Sequence, residues 1–275
     1  MTTNNINLQW AQELLTTGKD MANFSGELPE IDWVQNGKSF KKQLTFKLLP
    51  ANSKENGVFS YIVGTHWLDI EGRIRRFVCP EQTMHLKKQG VKCPICEAKR
   101  KLLAQGHTEE SLSKQGKYGP IPVFDPKMTS NVKVVVLSSD LKNDWDKAHV
   151  SLLQQNGTFL TRWLVEKCMD HDTPDLLAWE RSNAIKFSRV SDNGRFEREL
   201  TFTTYEPTTD VITKLREENE SLTLSDLWKM PSDQEVLEMT QICQALENEY
   251  NASRNVARTQ SSADSDNVSE DEIPF

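Results

Sequence analysis

The chain has 275 residues, of which 37% are hydrophobic and 27% charged, with 7 Trp and 11 Phe, as expected of a folded protein with a charged surface. No apolar run approaches the roughly 20 residues of a membrane-spanning helix, which excludes an integral helical membrane protein. The first residues lack the basic and apolar regions of a signal peptide, so we expect a cytoplasmic protein with no membrane partner.

Charge is distributed unevenly along the chain, although the formal net charge is only −7. Residues 206–275 contain 5 Lys and Arg against 16 Asp and Glu, whereas residues 38–105 contain 14 Lys and Arg against 5 Asp and Glu. A basic core joined to an acidic end is the asymmetry expected of nucleic-acid binders with regulatory tails.

Periodicity along the chain predicts short strands with helical insertions. Alternating or β-branched stretches predict strands at residues 41–49, 58–67, 73–78, 131–137, 184–190 and 196–204, with turns at 71–72 and 192–194. Apolar residues at helical spacing predict helices at 7–17, 96–105 and 140–155, and Gly and Pro predict a loop at 116–126. Five or more short strands indicate an α+β protein with a small, partly open β-barrel.

These elements divide the chain into four parts. We predict an N-terminal helix and loop over 1–37, a nucleic-acid-binding core over 38–205 with a zinc subdomain at about 66–106, an acidic helical region over 206–250 packed on that core, and a disordered acidic tail over 251–275. The tail is rich in Asn, Ser, Asp and Glu, which cannot bury enough apolar surface to fold.

Three of the five cysteines lie between residues 79 and 96. Cys93 and Cys96 form a C-x-x-C knuckle, and with Cys79 and one histidine they supply the four ligands of a closed zinc site. Spacing leaves the histidine open among His66, His85 and His107. The alternatives are ordinary thiols near surface histidines, or a redox dithiol in which Cys79 has no role.

The strand prediction tests that ligand set. A turn centred on residues 71–72 places His66 opposite residue 77, so Cys79 lies two positions further along its strand, and the two converge on one metal only if the strand ends bend together. Cys168 and Cys243 stand alone, and we interpret them as thiols of the fold.

Cations alternate with aromatic residues in the basic region. Phosphates require cations and unstacked bases require flat aromatic surfaces, so this mixture favours single strands over duplex. The alternative is that the charges solvate the barrel and the aromatic rings fill its core. The side chains that we expect to contact nucleic acid are Lys41, Lys47, Trp67, Arg73, Arg75, Arg76, Phe77, Lys87, Lys88, Lys99, Lys186, Arg189 and Arg198.

Two further patterns bear on function. The metalloprotease, P-loop and nucleophile-elbow signatures are missing, and a zinc ion with four protein ligands has no open position, so we expect no enzyme. The last residues, Asp271, Glu272, Ile273, Pro274 and Phe275, join carboxylates to an apolar end, which favours capture by a protein with an apolar pocket and a cation.

Together these motifs resemble the single-stranded DNA-binding, helix-destabilising proteins of T-even-type bacteriophages. The resemblance rests on the strand Leu44 to Pro50, on the histidine and cysteine pattern, and on Trp179-Glu180 followed by residues 183–191. It implies an OB-fold core, which is a small five-stranded β-barrel, with an inserted zinc subdomain and C-terminal helices. It also implies that one structural zinc ion binds His66, Cys79, Cys93 and Cys96, and that Phe196 lies in the DNA cleft.

The resemblance implies a protein that coats single-stranded DNA during phage replication, recombination and repair, in the host cytoplasm if phage-encoded. The C-terminus resembles the tip of bacterial single-stranded DNA-binding proteins and implies recruitment of replication and recombination proteins. The family's basic N-terminal cooperativity motif is absent, since residues 1–18 contain no Lys or Arg, so we expect a monomer or weak self-association along DNA. The alternative function is a zinc-containing adaptor, or a protein that binds RNA or duplex.

Overall fold

The computed structural model describes residues 32–35, 38–70, 73–116, 119–170, 175–180, 182–189 and 196–265. The chain divides into two compact units. The first unit comprises Met1–Thr65, Val78–Val91 and Pro126–Met230, and the second comprises His66–Phe77, Lys92–Asp125 and Pro231–Phe275. The predicted helix at 7–17 and the predicted turns at 71–72 and 192–194 lie outside the described residues. None of the described helices combines the length and hydropathy needed to cross a bilayer.

Ten strands and six helices make up the described chain. The strands are β1 Trp33–Gln35, β2 Gln43–Leu48, β3 Ser60–Ile70, β4 Arg73–Val78, β5 Ser113–Gly116, β6 Gly119–Pro122, β7 Lys127–Ser139, β8 Ser151–Asn156, β9 Ser182–Arg189 and β10 Phe196–Tyr205. The helices are α1 Met84–Lys87, α2 Pro94–Ala104, α3 Phe159–Met169, α4 Thr209–Ser221, α5 Leu224–Leu227 and α6 Asp233–Ser265.

The main sheet is mixed and follows the order β1-β8-β7-β2-β9-β10, with β3 also paired to β7. β1 runs parallel to β8, with Trp33 opposite Leu152, whereas β2 runs antiparallel to β7 and β9. Among the described strands no pairing joins β1 to β10, so the sheet is not closed into a barrel. The structure confirms the α+β class, and the five-stranded barrel was not found.

The core of the first unit lies around β2 and β7. β7 contributes valines on both faces, as expected of a strand covered on two sides. The largest apolar cluster includes Phe40, Phe46, Leu48, Val134 and Phe187, each no more than 2% exposed. Smaller clusters pack Leu224 and Trp228 with Tyr61, and Leu215 with Val135, so α4 and α5 cover the first unit.

A buried ion pair fixes the link between α4 and α5. Lys133 Nζ lies 2.7 Å from Glu55 Oε2, and both side chains are fully buried. Glu55 Oε1 accepts a hydrogen bond from the Leu224 amide at 2.8 Å, and Asn52 Nδ2 donates to the carbonyls of Asn219 and Leu222. Burial lowers the pKa of Lys133, and Glu55 opposes that effect. The pair is therefore a buried, structural ion pair and not part of the charged surface.

The second unit is built on helix packing. α2 buries Ile95, Ala98 and Leu102, which recur at helical spacing on one face. It packs against α6, which buries Met239 and Cys243 one turn apart. The C-terminal residues of β3 and the strand β4 form a hairpin, and β5 pairs with β6.

Several predicted elements need correction. Where we predicted a helix, residues 140–150 are irregular and residues 151–156 form β8. At the start of this segment, the Asp140 carboxylate accepts hydrogen bonds from the amides of Lys41, Lys42 and Gln43. The predicted loop at 116–126 contains β6, and α6 continues to Ser265 although we predicted disorder from residue 251. The strand prediction at 73–78 is confirmed by β4, and the helix at 96–105 by α2.

Candidate metal centre

One histidine and three cysteines converge at a single point. The ligand atoms of His66, Cys79, Cys93 and Cys96 all lie within 4.8 Å of one another. His66 Nε2 is 3.3 Å from Cys93 Sγ and 3.6 Å from Cys96 Sγ. His66, Cys79 and Cys93 are fully buried. One imidazole and three thiolates form a donor set of the kind that holds four-coordinate zinc, and the cluster could hold a metal ion.

The knuckle is shaped by the start of α2. Cys93 is the residue before the helix, Pro94 is its first residue, and the Cys93 carbonyl accepts the Glu97 amide at 2.9 Å. Proline suits this position because its missing N–H would have no partner in the first turn. The positive end of the helix favours thiolates at Cys93 and Cys96.

Cys79 is held by a turn packed on Gly64. The Cys79 amide donates to the Gly64 carbonyl at 2.8 Å, and Thr83 Oγ1 donates to the same carbonyl and accepts from the Gly64 amide, both at 3.2 Å. A Cβ on Gly64 would lie 2.8 Å from Gln82 Cβ, so only glycine allows this approach. The ligand atoms of His66 and Cys79 therefore lie close together, as the ligand set requires.

The other two candidate histidines are engaged elsewhere. His85 Nε2 hydrogen-bonds the Trp228 carbonyl at 2.8 Å, and burial lowers the pKa of His85. His107 Nε2 hydrogen-bonds Asn251 Oδ1 at 3.1 Å. Among the described residues, His66 Nδ1 is buried without a hydrogen-bond partner, so a metal on Nε2 leaves Nδ1 as the protonated nitrogen. The geometry therefore selects His66 as the fourth ligand.

The two remaining cysteines lie outside the cluster, as predicted. Cys168 packs against the main core of the first unit, and burial raises its pKa to about 12. Burial also raises the pKa of Cys243 to about 12, and the charge of nearby Cys93 acts in the same direction. Both side chains are thus protonated thiols at neutral pH.

Five of the expected nucleic-acid contacts are exposed, namely Lys41, Arg75, Arg76, Lys87 and Lys88. Trp67 is half-buried, and the Arg76 guanidinium lies 4.4 Å from the centre of its ring. Arg75 Nη2 lies 2.7 Å from both carboxylate oxygens of Glu238. The hairpin of β3 and β4 therefore presents a stacked cation and aromatic pair beside a second, ion-paired arginine.

Two expected contacts were wrong, because Lys47 and Phe77 are 1% and 3% exposed. Lys47 Nζ donates to the Leu176 carbonyl, and burial lowers its pKa to about 7 against the opposing charge of Asp175. β2 is buried along most of its length, so alternation in the sequence assigned Lys47 to a solvent face that does not exist.

Lys99 and Lys186 are less accessible than we expected. Lys99 Nζ pairs with Glu109 at 2.7 Å and Asp125 at 2.5 Å. Burial acts to lower the pKa of Lys99, but these two carboxylates outweigh it and the pKa is raised. Lys186 is half-buried on β9 opposite Thr45. The side chains of Arg73, Arg189, Phe196 and Arg198, and all of Asp271, Glu272, Ile273, Pro274 and Phe275, lie outside the described residues.

Sequence reasoning missed a second cation and aromatic pair. Lys142 Nζ lies 4.4 Å from the centre of the Trp145 ring, and Trp145 Nε1 donates to Ser139 Oγ at 3.1 Å. Predicting a helix over 140–155 placed Trp145 in a core stripe. The Asp140 bonds that shape this loop reach residues about a hundred positions away, so no local signal could have revealed the pair.

No protein-family model matches this chain, and no curated protein matches it. The sequence resemblance described above therefore depends on its quoted residues alone. The geometry of the metal cluster and of the hairpin carries the functional argument.

Proposed function

We propose that this protein is a non-enzymatic, sequence-independent single-stranded DNA-binding protein that coats and protects DNA during phage replication, recombination and repair. The observation that carries this proposal is the Arg76 and Trp67 pair, 4.4 Å apart, on the hairpin that also carries His66. The same proposal includes two further points: the mixed sheet binds DNA in the manner of an OB-fold, and zinc is the bound metal.

A cation stacked on an aromatic ring suits a flexible strand. A phosphate can bind the exposed guanidinium while a neighbouring unstacked base contacts the ring, and each stacked base contributes about 1–3 kcal/mol. Duplex DNA keeps its bases stacked internally and cannot use the ring in this way. The excess of cations over residues 38–105 adds a sequence-independent attraction to the phosphate backbone.

The metal in this proposal is structural. With three thiolates and one imidazole bound, zinc has no vacant position for water or substrate, so its contribution is to hold the chain segments that bear the ligands. The residues that do the binding are then exposed cations and rings near the cluster. Recruitment of replication and recombination proteins is assigned to the acidic C-terminal residues.

The direct test is a fluorescence titration of one protein sample with oligo(dT), duplex DNA and RNA, with zinc content measured on the same sample. We expect oligo(dT) to bind most tightly and its affinity to fall steeply between 50 and 200 mM salt, roughly in proportion to the phosphates neutralised. No measurable oligo(dT) binding at low salt contradicts the proposal. Tighter binding of RNA or duplex supports the alternative adaptor function instead.

A matched pair of variants tests the carrying observation. Arg76→Ala should weaken oligo(dT) binding several-fold because it removes a phosphate contact beside Trp67. Lys142→Ala removes an exposed cation at the same 4.4 Å distance from a different Trp ring and should leave affinity unchanged. Equal losses for both variants would show that charge alone, and not the hairpin, governs binding.

A truncation tests the acidic end. Removing residues 262–275 deletes Asp264, Asp266, Glu270, Asp271 and Glu272, so oligo(dT) affinity should rise or stay constant as competing negative charge is lost. A clear loss of affinity would contradict competition between the tail and DNA.

A further inference from the structure

We propose that α6 is a metal-controlled latch, whose docking on α2 requires the His66, Cys79, Cys93 and Cys96 cluster to be loaded with metal. This proposal rests on the metal centre and is independent of DNA binding. Because α6 contains none of the four ligands, the metal acts on this helix only through the segments that carry the ligands.

The apolar contact of α6 is made with α2 and with the segment that follows it. Met239 and Cys243 are 0% and 3% exposed, and they lie one turn apart on the face packed against α2. Further along, the centre of the Tyr250 ring lies 5.8 Å from that of Phe124. Leu237, on the outer face, is 58% exposed. A helix with one apolar face docks only where its partner surface is ordered.

Polar contacts also hold α6 along its length. Glu238 pairs with Arg75 at 2.7 Å, Glu247 pairs with Lys101 at 3.7 Å, and Asn251 Oδ1 accepts a hydrogen bond from His107 Nε2 at 3.1 Å. Arg254 Nη1 donates to the Gln105 carbonyl at the end of α2, where a cation opposes the negative end of the helix. Exposed ion pairs of this kind contribute at most about 1 kcal/mol each.

All of these partners lie on segments that the ligands hold. Arg75 lies between His66 and Cys79, while Lys101, Gln105 and His107 follow Cys96. The buried apolar residues described in these segments form a small set, namely Leu68, Phe77, Ile95, Ala98, Leu102, Leu112 and Phe124. A core of that size needs a metal to remain ordered, so loss of the metal removes the surface on which α6 docks.

Undocking changes what the molecule presents to solvent. Met239 and Cys243 become accessible, and Arg75 and Lys101 lose their carboxylate partners. The first unit keeps its own apolar core and its buried Lys133 and Glu55 pair, and it stays folded.

The test measures thiol alkylation on the zinc-loaded full-length chain before and after addition of a chelator, with peptide mapping by mass spectrometry. Cys243 reports α6, and Cys168, packed on the core of the first unit, is the internal control. We expect chelation to raise the labelling rate of Cys243 by about tenfold or more, as expected when a locally stable helix opens. Cys168 should label at an unchanged rate, and added zinc should restore protection of Cys243.

Three results overturn the proposal. If Cys243 labelling is unchanged while zinc is fully removed, α6 docks without the metal. If Cys168 accelerates together with Cys243, the metal holds the whole chain and there is no separate latch. If the purified protein binds no zinc in the metal assay, the metal centre itself fails, and this outcome is distinct from a failure of oligo(dT) binding.

Discussion

The two units of the chain are stabilised internally by different means. In the first unit, large apolar side chains such as Phe46 and Phe187 fill a continuous core, and the buried charged side chains described there are paired or bonded, as Lys133 is with Glu55. In the second unit a few apolar residues surround the ends of short segments, and the ion pairs lie near the surface, as Arg75 and Glu238 do with 53% and 31% exposed side chains.

The difference shows where a metal matters. Burial of apolar surface contributes roughly 25 cal/mol per Å², so the first unit needs no further cross-link. Exposed ion pairs contribute little, so the second unit depends on the cluster that includes its His66, Cys93 and Cys96. Chelators should therefore act locally rather than on the whole chain.

The largest expected effect comes from removing a ligand. Cys93→Ser should abolish stoichiometric zinc binding and with it a metal contribution on the order of 10 kcal/mol to the order of the second unit. Hydrogen exchange should accelerate across α2 and α6 and stay slow in β2 and β7. Cys168→Ser, the matched control outside the cluster, should retain one zinc ion. Full zinc content and unchanged exchange in Cys93→Ser would contradict the ligand assignment.

Breaking the buried pair should damage the other unit. Glu55→Leu leaves the Lys133 ammonium buried without its carboxylate and should lower the free energy of unfolding by about 3–5 kcal/mol in urea titrations. Lys214→Met removes an exposed cation, 3.4 Å from Asp146, and should change stability by no more than about 1 kcal/mol. Comparable effects for the two variants would show that burial does not distinguish these pairs.

Within α6, a buried and an exposed residue should differ sharply. Met239→Ala removes a fully buried side chain and should cost about 2–5 kcal/mol of local stability. In the zinc-loaded protein it should raise Cys243 alkylation without changing zinc content. Leu237→Ala on the exposed face should leave the labelling rate unchanged, and a similar rise in both variants would argue against the assigned packing face.

The smallest effect is a gain of stability. Lys47 has a pKa of about 7 in the folded chain against 10.5 when unfolded, so folding below pH 10.5 requires release of a proton or burial of a charge. Lys47→Met should therefore stabilise by about 1 kcal/mol or more at pH 7, an advantage that shrinks as pH rises toward 10.5. Oligo(dT) affinity should be unchanged, and a loss would restore Lys47 as a DNA contact.

Sequence reasoning found the three cysteines of the candidate metal centre because they are close together in the chain. A C-x-x-C knuckle and a nearby cysteine are local signals. The choice of histidine could not be made from spacing, since it depends on the distant partners that engage His85 and His107, namely the Trp228 carbonyl and the Asn251 side chain.

The errors have the same origin. Lys47 is buried because a carbonyl 129 positions away accepts its hydrogen bond, and alternation along β2 contains no trace of that contact. The helix predicted over 140–155 had correct apolar spacing, but Leu152 and Leu153 serve two faces of a sheet. Tertiary contacts overrode local periodicity in both cases.

The spacing of strand partners also sets an order of events during synthesis. All four metal ligands lie between residues 66 and 96, whereas β1 must wait for β8 and β2 for both β7 and β9. As the chain leaves the ribosome, a metal-bound hairpin and helix can form before the sheet has its central strand. If zinc binds there as proposed, its cellular supply during translation would influence the yield of folded protein more than its supply afterwards.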